Sequence, residues 1–191
     1  TRTREGSAGI ESADPFFYCN NSFLIYYPQY MNIFVTDKDP VIAAQNLCDK
    51  HVIKMILESA QMLCAAFENG EAPYKRSHYN HPCTKWARES QSNYEWLLTH
   101  AYALCDEYSS RYNKTHKSLE TIDWCNIHYS ELNMPDIGLT PFAQAMPDQY
   151  KNANVMQAYR DYYNGEKAYF SKWKSQIIPP WFIGAQNLRV K

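Results

Sequence analysis

His51, Lys54 and Glu58 follow one another at intervals of three and four residues. On a helix that spacing gathers an imidazole, an ammonium and a carboxylate on one face. The set suits proton transfer at a reacting centre. A carboxyl can act as acid or base, and an amine that loses its proton becomes a nucleophile. Lys50 lies one turn before Lys54. A neighbouring ammonium favours the neutral amine at Lys54, whereas Glu58 opposes that shift. The same spacing serves equally well as a solvated Lys54–Glu58 ion pair beside a hydrogen-bonded histidine. The helix face alone leaves both readings open.

The helix that must carry these residues is predicted from Pro40 to about Phe67, capped by Asp39 and stopped at Asn69-Gly70. Val41, Ala44, Leu47, Cys48, Met55, Leu63 and Ala66 form its apolar stripe. A second long helix is predicted from Pro82 to about Tyr112, with Trp86, Tyr94, Leu97, Ala101, Leu104 and Tyr108 inward. A short helix follows over Ser118–Tyr129, then a proline-broken loop from Met134 to Tyr150. The last helix is predicted over Val155–Trp173, with Gly165 its weak point, and Ile178–Phe182 reads as an extended tail sealing the bundle. Ile33-Phe34-Val35 is the one strand-like run. The expected fold is all-α, a single compact bundle-like domain over residues 31–191. Residues 1–30 lack a helical period and the regions of a signal peptide. They are expected to be a non-native or upstream leader, with native initiation at Met31.

The 191 residues hold 19 Lys+Arg against 20 Asp+Glu, a formal net charge of −1. That excludes a polycation, so an anionic polymer would have to be met by local basic patches. One such patch is the loop from Tyr74 to Arg88, which has Lys75, Arg76, Lys85 and Arg88 and no acid. His78, His81 and the tyrosines interleave with them, suiting phosphate contact and base stacking. Lys50, Arg111 and Lys114 are expected to extend this surface. None of the six cysteines forms a C-x-x-C pair; they read as buried free thiols in a reducing compartment. His78, His81 and Cys83 fit no zinc spacing, and neither metal nor other cofactor is expected. The absence of eighteen consecutive apolar residues argues against a membrane span. A monomer is expected.

The stretch Asp49-Lys50-His51…Glu58 resembles the first-helix motif of the pyrimidine-dimer DNA glycosylase family of the phage endonuclease V type, Asp-x-His with a Glu seven residues on. Ser90–Lys114 is similar to that family's second long helix, and YRDYYNGEKAY (Tyr159–Tyr169) to its aromatic C-terminal element. The likeness runs from Met31 to Trp173. The chain also looks like small phage-encoded proteins that begin MNIF…DP. The resemblance implies a helical enzyme that flips a base from damaged duplex DNA and breaks the glycosidic bond at a cyclobutane dimer. An α-amine attacks C1′ to give a Schiff base, and elimination cuts the strand as an AP lyase. It implies a cytoplasmic protein of a phage-infected bacterial cell. Glu58 matches the catalytic glutamate and His51 the first-helix histidine, with His51 expected against a lesion-side phosphate or sugar. Met31 would supply the amine, with Lys54 as its rival, because an α-amine is neutral more often than a lysine at neutral pH. The sequence departs from the family pattern in three ways. Asn32 follows the methionine, Leu57 and Gln61 stand where arginines flank the glutamate, and residues 31–191 are formally neutral. Two other classes stay open: a non-catalytic nucleic-acid-binding phage accessory protein, and an enzyme of phage base modification.

Overall fold

A computed structural model describes residues 31–174 and 177–184. The leader reading of residues 1–30, and Cys19 with it, lies outside the described residues. Six α-helices follow in order: α1 (Pro40–Gln45), α2 (Asp49–Cys64), α3 (Pro82–Ala87), α4 (Gln91–Tyr112), α5 (Leu119–Ile127) and α6 (Val155–Tyr162). A π turn over Tyr163–Lys167 continues α6. Among the described residues there is no strand, so the chain is all-α as its periodicity implies. α4 is the central element, packed against α1, α2 and α5. No helix among the described residues is long and apolar enough to cross a membrane.

Both long predicted helices are broken, and the breaks are satisfied from a distance. The first stops at Gln45 and restarts at Asp49. Asp39 caps α1 by accepting from the Val41 and Ile42 N–H groups at 2.8 and 3.1 Å. Where the chain unwinds, the Arg111 guanidinium donates to the Leu47 and Gln45 carbonyls, and the Trp173 indole to the Asn46 carbonyl. The Cys48 N–H donates to the Tyr163 hydroxyl at 2.9 Å, and the Asp49 N–H to the Lys172 carbonyl at 2.8 Å. A helix interior would bond these groups to itself; here remote residues take over, so local sequence carries no sign of the break. The second helix breaks between α3 and α4. Ser90 caps α4 through the Asn93 N–H. Asn93 donates to the Trp86 carbonyl and the Thr140 hydroxyl at 2.8 and 2.7 Å, clipping the proline-rich loop over the gap.

Ile33-Phe34-Val35 is not a strand. Residues 31–36 form a fully buried segment threaded through the core. The Asn32 side-chain oxygen accepts from the Ile33 and Phe34 N–H groups at 2.8 and 3.0 Å. Phe34 adopts the left-handed conformation, φ 55°, which breaks the pleat a ladder needs. Arg160 of α6 ties this segment down through the Thr36 carbonyl at 2.9 Å. The five described cysteines are buried and unpaired by disulfides.

Candidate functional site

Glu58 sits in the third turn of α2 on its inward side, 7% exposed. Its two oxygens have different partners. One accepts from the backbone N–H of Asn32 at 3.0 Å. The other pairs with Lys54 Nζ at 3.0 Å, and the Lys54 side chain is half in solvent. Burial raises the carboxyl above its ordinary value, against the pull of Lys54, the Asn32 N–H and His78. A carboxyl whose proton is held more tightly than usual is better suited to act as a general acid. Asn32 is itself fixed, because its side-chain amide donates to the Ala145 carbonyl at 2.7 Å. The Ala143–Ala145 strap is held in turn by the Tyr159 hydroxyl, which donates to the Ala143 carbonyl and accepts from the Ala145 N–H.

His51 lies one helical face-length away and is also 7% exposed. Its ring stacks on Phe34, centroids 4.3 Å apart, with Tyr163 and Phe170 edge-on. Nδ1 shares a 2.7 Å hydrogen bond with the Tyr163 hydroxyl. Burial, then Lys167 and Lys54, push the imidazole down to about 3. It is a neutral ring at physiological pH, so it positions α2 against the C-terminal segment and offers no charge to a phosphate. The Tyr163 hydroxyl links His51 directly to the start of α2 through the Cys48 N–H.

Met31 is 2% exposed, and its thioether accepts from the Thr84 hydroxyl at 3.4 Å. In the 191-residue chain its nitrogen is a peptide nitrogen, next to the Asn32 N–H that meets Glu58. The amines at the rim are lysines. Lys54 is held by Glu58; Lys50 is exposed and lies 5.1 Å from the Phe170 ring centroid. Lys167, at the end of the π turn, lies 4.6 Å from the Tyr162 ring centroid. Its charge acts on His51.

The basic loop reaches the same region through His78, whose charge acts on Glu58 and which adopts a left-handed φ of 50°. His81 accepts from the Cys83 N–H to cap α3, and burial and His78 lower its pKa. Arg88 and Arg76 lie 3.5 and 4.6 Å from the Tyr79 ring centroid. Both are also tied to backbone: Arg88 to the Tyr79 and Thr84 carbonyls, Arg76 to the Phe67 carbonyl. Lys75 and Lys85 are exposed. Lys85 and Arg88, with Asn80, Trp86 and Pro141, line an open cleft of about 650 Å³.

Two expected contacts fall elsewhere. The Arg111 side chain has no exposed surface and is paired with Asp49 at 3.1 Å and Glu107 at 2.7 Å. With the backbone carbonyls it also serves, its donors are used inside the protein, and it cannot reach an external phosphate. Lys114 is exposed just past Asn113, the left-handed cap of α4. That is the end of α4 beside Asp49, about two and a half turns of α2 from Glu58. Among the described residues no group of three His, Cys, Asp or Glu side chains could hold a metal.

Sequence reasoning missed Asn32 and Tyr163 as parts of this site, and read Lys167 only as part of a C-terminal basic turn. Asn32 carried one legible signal, its place beside Met31. Tyr163 and Lys167 carried none beyond membership of an aromatic, basic segment.

Residues 31–120 match a family described as pyrimidine dimer DNA glycosylase. That span contains Asn32, His51, Lys54 and Glu58 and stops short of Tyr163 and Lys167. No curated protein and no solved structure matches the chain.

Proposed function

We propose, from the match of residues 31–120 to the pyrimidine dimer DNA glycosylase family, that Glu58 is the catalytic acid–base and that the protein breaks a glycosidic bond at a cyclobutane dimer in duplex DNA. The family implies a DNA substrate. The observation that carries the residue assignment is the carboxyl of Glu58, buried yet bridging the Asn32 N–H and a half-exposed lysine. A sugar that loses its base gains a great deal from a carboxylate held in low dielectric beside it.

In this reading the damaged base leaves the stack, which is cheaper at a lesion than at an intact pair. Lys75, Arg76, Lys85, Arg88, His78 and Lys50 hold the phosphates on either side. Glu58 protonates the opening sugar, and Lys54 keeps the carboxyl aimed and its charge balanced. His51 keeps α2 in register with the aromatic segment. An amine at the rim forms an imine at C1′, and Glu58, now ionised, takes the C2′ proton so that the strand breaks by elimination. An α-amine at Met31 would stand one residue from the Asn32–Glu58 contact; Lys54 is the side-chain alternative.

The test is Glu58→Gln, measured on ultraviolet-irradiated duplex DNA as strand cleavage at dimers and as the free pyrimidine that photoreversal of the cleaved dimer liberates. The expected loss is about 10²- to 10⁴-fold, the usual worth of a positioned acid–base group. Activity within twofold of the parent, with the fold intact by circular dichroism, overturns the assignment. Release of a different base from base-modified DNA, with dimers untouched, would move the protein to a base-modification role. Binding without any glycosidic cleavage would make it an accessory DNA-binding protein.

A further inference from the structure

The outward face of α2 has Lys50, Ile53, Lys54 and Leu57 as its exposed residues, with Asp49 and Gln61 half-buried at the ends. Ile53 and Leu57 are each 42% exposed. They stand four residues apart, so the two aliphatic chains share a ridge of the helix. The strip thus alternates ammonium and aliphatic groups and holds no exposed acid. Asp49 is engaged by the Arg111 guanidinium at 3.1 Å and by the Lys174 N–H at 3.0 Å. A lone exposed leucine needs no explanation. Leu57 differs by its place. It directly precedes Glu58, and Lys54, three residues before it, holds the Glu58 carboxylate at 3.0 Å. Lys50 lies two turns back on the same strip, about 10 Å along the axis. A ligand that approaches Glu58 past Lys54 therefore meets Leu57 and two ammoniums together.

We propose that Leu57, backed by Ile53, is an apolar wedge that enters the base stack at the lesion and keeps the duplex open there while Glu58 meets the sugar. The inference rests on the glycosylase reading above and adds to it the group that senses damage. The charge of the strip selects a polyanion: Lys50 and Lys54 attract phosphates, and no exposed acid on α2 repels them. Leucine has no hydrogen-bonding group in its side chain, so it cannot read a base edge. It can cover a base face. Aliphatic side chains serve in this way where proteins part a base step and kink the duplex. Parting an intact step costs stacking, and a damaged step costs less. Such a wedge responds to how firmly a step is stacked rather than to its sequence. Insertion also takes Leu57 out of water, which favours the inserted state.

The experiment uses the full chain and two duplexes of one dimer-containing strand. In one the dimer faces its complementary bases; in the other it faces mismatched bases that already loosen the stack. Leu57→Ala is expected to lower kcat/KM at the paired dimer about tenfold, the worth of covering a half-exposed leucine, and to stay within about twofold of the parent at the mismatched one. Leu57→Met, which keeps an apolar chain of similar volume, should match the parent on both. In a Glu58→Gln background, which holds the complex uncut, 2-aminopurine beside the dimer should brighten on binding, and adding Leu57→Ala should remove that rise. Leu57 is exposed, so the circular dichroism and urea midpoint of its variants should stay parental. Equal losses on both duplexes would overturn the proposal, since Leu57 would then only shape the turn that bears Glu58. Parental rates on both would overturn it too. So would a fall in sedimenting mass with Leu57→Ala, which would make this face a contact between copies of the chain. Failure of the wedge shows in the variants alone. An unsubstituted chain that cuts neither duplex brings down the glycosylase reading, and this proposal with it.

Discussion

At the foot of α2, Arg111 lies between Asp49 and Glu107 and also serves two backbone carbonyls, sealed from solvent. About two and a half turns further along the same helix, Glu58 has one backbone donor and one lysine that is half in water. Both places bury charge on α2 beside α4 or its neighbours, and both use residues that look alike in sequence. The difference lies in what is left over. The Arg111 cluster has its donors and acceptors matched inside the protein, so it holds elements in place. The Glu58 cluster has a partner whose side chain is half in solvent and a carboxyl raised by burial. It retains capacity for a ligand. Buried charge therefore marks a reactive site only when its satisfaction is incomplete on one side.

Breaking the comparison at its strongest point means separating activity from stability. Glu58→Gln should give the catalytic loss stated above while its urea midpoint stays close to the parent's, because glutamine keeps the volume and can still accept from Asn32. Arg111→Met should do the reverse. It leaves the partly buried Asp49 and Glu107 carboxylates and two backbone carbonyls without their donor and should cost about 3 kcal/mol of unfolding free energy, read by urea titration. The residual folded protein should turn over at the parental rate. If Arg111→Met lowers turnover per folded molecule as much as Glu58→Gln does, the two clusters are not functionally distinct.

Acid sharpens the contrast from another side. His51 and His100 are held neutral, at about 3 and about 4, chiefly by burial. Their unfolded values lie near 6.5, so the unfolded chain binds more protons between those limits, and stability rises with pH there. Unfolding midpoints should fall progressively as pH drops from about 6.5 toward 4. Glu58 runs the other way, since its raised value favours the protonated folded form. Replacing His100 with Gln should flatten the acid limb, and an unchanged slope would refute the account. The smallest effects belong to the exposed loop. Lys75→Ala and Lys85→Ala should each reduce the salt dependence of DNA binding by about one counterion and weaken it without altering damage preference. An unchanged salt slope would take the loop out of the interface.

The helical class, α5, and the grouping of Lys54 with Glu58 on one face were legible because they follow from local spacing. The break at Asn46–Cys48 was not, since its partners come from residues 111, 163, 172 and 173; the one at Ala87–Ser90 carried a local sign in the Ser90 cap, though Asn93 and Thr140 complete it. Arg111 read as a surface cation for the same reason: nothing within its own helix tells that Asp49 and two carbonyls will enclose it. Asn32 looked like the residue after a start codon and became the backbone donor to the key carboxyl. A pattern of side-chain types predicts which groups share a helix face; it does not say what crosses from another part of the chain to meet them.

The borrowed caps at the start of α2 have a temporal consequence. Tyr163, Lys172 and Trp173 complete the turn from which the helix bearing Glu58 departs, yet they leave the ribosome long after Glu58 does. A growing polypeptide that has presented only residues up to 120 carries the acid but not its keystone, and it should stay silent toward DNA. Chains stalled at successive lengths would show this directly, with imine trapping beginning only after Trp173 has emerged.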